Sequence, residues 1–358
     1  MNKISPNTGR FRPDWLSLAV EPAVDPELPI IDPHHHLWDF PNSHYMFKEV
    51  LADITSGHKV TATVFAQCYV MYRASGPEHL QPVGETEFAN GVAAMSASGQ
   101  YGGSRICAGI IGWADFMLGE GVREVLEAHI VAGGGRLRGI RNTVCWDVDE
   151  SIPRSRRKTE RSMLMEPAFR AGVAQLAPLG LSFEVWLFHT QPDELADLAG
   201  AFPETTIVVD HLGGPVRIGR HASHRDEAFK LWSAGIKRLA GFPNVAIKLG
   251  GLGMHIYGFE FERAPLPPGS ELLASAWHPY IETCIDAFGP KRCMFESNFP
   301  VDKAAYSYVN GWNAFKRLTT AFSADERKDL FSGTARRIYR LDLSDERRAL
   351  WPDPDRAE

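Results

Sequence analysis

The stretch Ile30-Ile31-Asp32-Pro33-His34-His35-His36-Leu37-Trp38-Asp39 decides how this chain is read. A short β-branched run enters three consecutive imidazoles, and on an extended strand alternate side chains share one face. His34 and His36 are therefore expected to project together, with His35 turned away. Neutral imidazole is the commonest metal-ligating side chain, so the pair either shares a metal or forms a local hydrogen-bonded cluster at a strand end.

Outward from this stretch, apolar runs alternate with segments of helical period. The runs cover 30–32, 60–67, 106–112, 137–141, 181–188, 206–210, 245–249 and 293–296. Helix-like stretches lie between them at 85–97, 121–132, 166–177, 193–201, 227–240, 272–287 and 306–321, with a last one at 324–341. Strands buried on both faces and separated by helices imply parallel pairing, and eight such units define a single (β/α)8 TIM-type barrel of the α/β class. An open doubly wound sheet is the alternative, but no Gly-x-Gly-x-x-Gly follows a strand. The expected organisation is an N-terminal arm over 1–28, the barrel with its C-terminal helical segment over 29–342, and a polar tail over 343–358. Three connections, 39–59, 142–165 and 250–271, are too long for plain turns and follow strands, which places them on the face where barrels carry their sites.

With 358 residues and 44% hydrophobic side chains the chain can bury a large core. A net charge of −6 gives no footprint for nucleic acid or an anionic membrane, so a small-molecule substrate is the expected partner, with a homo-oligomer left open. Arg154-Ser155-Arg156-Arg157-Lys158 is a local exception, read as a solvated loop face. Five scattered cysteines without a Cys-x-x-Cys pair, and no apolar run of the ~20 residues a membrane span needs, lead to the expectation of a cytoplasmic protein.

If the runs are barrel strands, the residues past their C-terminal ends converge on one mouth: His34 and His36, Gln67, Trp113, Arg138 and Arg141, His189, Asp210 and His211, Lys248, Glu296 and Asn298. Lys248 inside an apolar strand needs a partner, either Glu184 or Glu296 or the substrate. Arg141 is either a rim ion pair or a fork for a substrate carboxylate. His211 precedes Gly213-Gly214, where the backbone is expected to pass close to a neighbour.

The ordered set IDPHHHLWD, GIRN, FHTQ, VDHLGG, IKLGG, FESNFPVD and SGTARRIYRL, from Ile30 to Leu341, resembles the amidohydrolase superfamily, specifically its amidohydrolase-related group. The HHHLWD opening is most similar to the sugar-lactone and muconolactone-type lactonases. Carried over residue by residue, the resemblance implies a divalent metal, zinc or manganese, on His34, His36 and His189, with His211 as acid or base. The strand-eight position, usually aspartate, falls on Asn298 in Ser297-Asn298-Phe299-Pro300. Asparagine is neutral and cannot take a proton from water. Either Glu296, two residues earlier, or His211 is then the base, or metal binding is weak or absent, or the protein is not a hydrolase. Gln67, Trp113, Arg141 and Lys248 are the candidate substrate contacts. The implied function is opening of a small lactone, of a sugar acid or an aromatic-degradation intermediate, by activated water. The alternatives are a metal-dependent non-oxidative decarboxylase and a barrel that binds a ligand without turning it over.

Overall fold

The computed structural model describes residues 11–155, 157 and 159–343. The first ten residues of the expected arm, Arg156 and Lys158 of the basic run, and residues 344–358 of the expected tail lie outside the described residues.

Eight strands, β1 (Ile30–His35), β2 (Val60–Ala66), β3 (Arg105–Gly112), β4 (Leu137–Thr143), β5 (Ser182–Trp186), β6 (Ile207–Val209), β7 (Val245–Leu249) and β8 (Cys293–Phe295), pair in parallel and in chain order. The ring is nearly closed just beyond β8, where Asn298 N–H donates to His34 O (3.0 Å) and His36 N–H donates to Phe299 O (2.7 Å). Helices between the strands, including α1 (Val83–Ala97), α2 (Arg225–Ala240) and α3 (Ser270–Phe288), and α4 (Tyr308–Leu318) after the last strand wrap the outside. This is the (β/α)8 barrel, with the eight apolar runs as its staves. No helix among the described residues is long and apolar enough to cross a membrane.

Connection 39–59 is not a loop: it folds into a hairpin, Trp38–Phe40 with Ser43–Tyr45, followed by the helix Phe47–Ile54. Its bond from Trp38 Nε1 to Ser43 Oγ (2.9 Å) fixes the Trp38 ring, which stacks on His36 at 6.0 Å between centroids. Residues 11–28 lie across α3 and α4, where Asn310, Asn313 and Lys316 donate to the backbone carbonyls of Ala19, Pro22 and Asp25.

The barrel interior has two levels. The lower one is apolar, with Ile31, Val64, Ile111, Val208 and Met294 closed from below by Ala335, Tyr339 and Leu341 of the C-terminal helical segment. The upper one is polar. Ile31 and His34 are three residues apart, so strict alternation would put them on opposite faces. The shift of pairing with β2 between Asp32 and His35 lets both face inward. His35 turns into the wall, with Nε2 2.8 Å from Thr63 Oγ1.

Tyr339 joins the levels by donating to Glu184 Oε1 (2.6 Å), a fully buried carboxyl group. Tyr339→Phe leaves that oxygen unpaired and is expected to cost about 1–3 kcal/mol. Equilibrium urea unfolding measures it; a loss below about 0.3 kcal/mol counts against the bond as a strut.

Candidate active site

Each polar residue of the upper level is set by a strand end. His34 and His36 present Nε2 atoms 3.3 Å apart. His36 Nδ1 donates to Ala66 O (2.8 Å), so its Nε2 carries a lone pair. His211, just past β6, donates from Nδ1 to Glu296 Oε1 (2.7 Å), so its Nε2 carries a lone pair as well. Glu296 Oε2 lies 2.9 Å from His34 Nδ1, so one buried carboxylate stands behind two imidazoles. Burial drives the imidazoles toward the neutral form: His34 is lowered to about 4, His211 to about 3, and His36 well below its usual value.

Below them lies a charge cluster. Lys248 Nζ contacts Glu184 Oε2 (2.6 Å), Asp210 Oδ1 (3.2 Å) and His34 Nδ1 (3.2 Å). Arg141 Nε donates to Asp210 Oδ2 (2.5 Å), and its Nη2 is 3.5 Å from His211 Nε2. Burial alone would raise the Asp210 carboxyl, but Lys248 and Arg141 outweigh it and hold the group well below the usual carboxylate range.

The backbone conforms to this arrangement. His211 (φ 52°) and Asn298 (φ 53°) both adopt the left-handed region that costs non-glycine residues energy, as is common where a site dictates the backbone. Gly251 lies against the His211 ring, where a Cβ would come 2.7 Å from Nδ1. Gly214 passes the Leu187 carbonyl, which a Cβ would approach to 2.1 Å, so the expected close passage is present.

A cavity opens above the imidazoles, walled by Trp38, Tyr69, Trp186 and Met254 and by the strap segment Pro153-Arg154-Ser155. Tyr69 Oη and Ser155 Oγ share a hydrogen bond (3.3 Å) that ties the strap to the wall. His36, Gln67, Arg141, His211 and Asn298 line this cavity. His34, Lys248 and Glu296 lie behind the lining, fully buried. The lysine has the Glu184 partner that its burial required.

Three sequence expectations do not meet here. His189, expected beside His34 and His36, sits instead against His221 (4.6 Å between ring centroids), and its Nδ1 accepts from Val216 N–H (3.3 Å). The turn after β5 carries its ring away toward Asp147, which holds His221 Nε2 at 3.0 Å. Trp113 faces a neighbouring recess, capped by the Arg157 guanidinium 3.5 Å above its ring. Arg138 is the second residue of β4, which continues to Thr143, so it lies near the opposite end and donates to Gly135 O (2.8 Å). Conversely Asp210, placed at the mouth from sequence but given no role there, is central. Its signal was the burial of Lys248 and Arg141, which together required more than one carboxylate.

The residues fit a divalent cation. A 3.3 Å Nε2–Nε2 separation matches the edge of a tetrahedron, about 3.3–3.4 Å for zinc–nitrogen bonds of about 2.0–2.1 Å. Asp210 Oδ1 and Glu296 Oε2 have close charged neighbours but no well-directed hydrogen bond among the described residues. His34, Asp210 and His211 each bring a ligand atom within 4.8 Å of the others. Neutral nitrogen donors with carboxylate oxygen suit zinc or manganese.

Asn298 lines the cavity with its amide nitrogen donating to Asp302 Oδ1 (2.9 Å). Asn298→Asp would face Asp302, whose carboxyl burial already pushes up to about 7. A cation relieves that repulsion, so the variant is expected to bind zinc about 10-fold more tightly or better by calorimetric titration. Unchanged affinity would remove position 298 from the metal's surroundings.

Imidazoles and carboxylates gathered at the C-terminal ends of eight parallel barrel strands give this fold a donor set for a divalent metal. The chain belongs to the amidohydrolase family, whose model matches residues 31–341. It is 33% identical over 340 residues to the uncharacterised protein y4mH of Sinorhizobium fredii, covering 88% of this chain and 99% of that one. It is 29% identical over 239 residues to an L-fucono-1,5-lactonase of Burkholderia multivorans, covering 65% of this chain and 72% of the lactonase. An amidohydrolase crystal structure from Burkholderia multivorans with bound zinc superposes with a TM-score of 0.66 at 25% identity, over 87% of this chain and 99% of the other. A 5-carboxyvanillate decarboxylase of Novosphingobium aromaticivorans, complexed with manganese, shares the fold alone (TM-score 0.56, 13% identity, 90% and 99% covered).

Proposed function

We propose that this protein opens a small lactone with water, and that His211 is the base. The observation that carries the reading is the His211 side chain itself: in the lining of the cavity, clamped through Nδ1 by Glu296, with the Arg141 guanidinium 3.5 Å from its Nε2. A carboxylate-oriented imidazole is how acyl-transfer sites hold a base in the productive tautomer.

Water held at His211 Nε2 gives up its proton as its oxygen attacks the lactone carbonyl. Arg141 lies where negative charge develops on the carbonyl oxygen, and the low dielectric of the buried cluster strengthens that contact. The protonated His211 then returns its proton to the ring oxygen as the acyl–oxygen bond breaks. Glu296 offsets the transient imidazolium. A divalent metal held by His34 and His36, with Asp210 adjoining, would supply Lewis-acid polarisation at the same carbonyl. Glu296 is not itself the base in this scheme, since both of its oxygens face imidazoles rather than the cavity. The sequence left the base open between these two residues, and the geometry favours His211.

Decarboxylation would place an arginine on the departing carboxylate. A panel of lactones and small aromatic acids, followed by proton release and by carbon dioxide release with zinc- or manganese-loaded protein, separates the two. Proton release from a lactone is expected; carbon dioxide from an acid with no lactone opened overturns the reading.

A further inference from the structure

Gln67 ends the run of β2 and is fully buried. Its backbone is fixed, with its N–H donating to Ile111 O (3.0 Å) and its carbonyl accepting from Arg141 Nη1 (3.5 Å). Its side chain is not: both Nε2 and Oε1 are buried without a hydrogen-bond partner among the described residues, in the lining of the cavity beside His36, Arg141 and His211. Buried polar groups are nearly always paired, so an amide with both ends open points to a ligand that completes it.

The chemistry of that ligand follows from the amide. Nε2 only donates and Oε1 only accepts. A carboxylate could satisfy the nitrogen but would repel the oxygen, and an unsubstituted aromatic or aliphatic ring would satisfy neither. Two hydroxyl groups on adjacent carbons satisfy both, since a hydroxyl donates and accepts. The same cavity offers the Thr143 and Ser155 hydroxyls for further polar contacts, with Trp38 and Trp186 as flat walls for the carbon faces of a ring.

We infer that Gln67 is a specificity residue that reads a pair of adjacent hydroxyl groups on the substrate ring and so selects hydroxylated over unhydroxylated lactones. This rests on the lactonase reading above and deepens it.

The test compares six-membered lactones with and without hydroxyls: L-fucono-1,5-lactone and D-glucono-1,5-lactone against δ-valerolactone, on zinc-loaded wild type and Gln67→Leu. In wild type, kcat/KM for the better hydroxylated lactone is expected to exceed that for δ-valerolactone by about 100-fold or more. In Gln67→Leu the ratio is expected to fall below about 10, and a ratio taken within one sample is insensitive to any loss of folded protein. A wild-type ratio near one, or a ratio unmoved by Gln67→Leu, overturns the assignment while leaving the lactonase reading in place. If no lactone is opened, that reading fails instead. Calorimetric binding of 1,5-anhydro-D-glucitol, the same hydroxylated ring without the carbonyl, then decides for Gln67. Binding lost in Gln67→Leu supports the diol contact; no binding to wild type, or equal binding to both, overturns it.

Discussion

His211→Ala is expected to lower kcat for lactone opening by about 10²–10⁴-fold, the usual range for a general base, with KM changed far less. The expectation comes from an imidazole that lines the cavity with an orienting carboxylate on Nδ1 and a guanidinium 3.5 Å from Nε2, a combination no other histidine among the described residues shows. His36 also keeps a lone pair, but it faces His34 across 3.3 Å and its other nitrogen is tied to the Ala66 carbonyl. Because Gly251 packs against the His211 ring, the truncation leaves a gap that water can fill, and the Arg141–Asp210 pair below it remains intact. Steady-state kinetics on metal-loaded protein, with near-ultraviolet circular dichroism as the check on folding, gives the answer. Activity retained within about tenfold would move the base elsewhere.

Glu296→Gln is expected to damage two functions at once. The carboxylate meets His34 Nδ1 at 2.9 Å with one oxygen and His211 Nδ1 at 2.7 Å with the other. The amide removes the negative charge beside His34 and, in one of its two flips, turns an N–H toward His211 in place of the acceptor. Such supporting groups behind metal-ligating histidines are typically worth about 10–100-fold in affinity or activity. Zinc titration and kcat are both expected to fall in that range, with the two losses appearing in the same variant. Loss of kcat with unaltered zinc affinity would confine the role of Glu296 to His211.

The strands and the convergence of histidines were legible because barrel staves buried on both faces have to be apolar, so polar residues at their ends stand out. The facing pair His34 and His36 followed from strand periodicity alone. The course of the chain between staves was not legible. The turn after β5 carries His189 to Asp147 and His221, and the 142–165 connection brings Arg157 over Trp113; both depend on contacts between residues distant in sequence. The hairpin at Trp38–Tyr45 was missed because each of its strands is three residues long, too short for a period of two to register. Asp210 was legible as a mouth residue but its role was not, because the demand for its carboxylate comes from Lys248 and Arg141 on other strands.

The proposed reaction is attack of water on a lactone carbonyl at this cluster. It is tested most directly by turning over L-fucono-1,5-lactone and D-glucono-1,5-lactone with zinc-loaded protein in ¹⁸O-labelled water, and locating the label by mass spectrometry. One ¹⁸O in the carboxylate of the opened acid, none in the hydroxyl released from the ring, and loss of this enzyme-dependent label in His211→Ala are the predicted results. Ring opening no faster than in buffer, or label in the ring-derived hydroxyl, would contradict it.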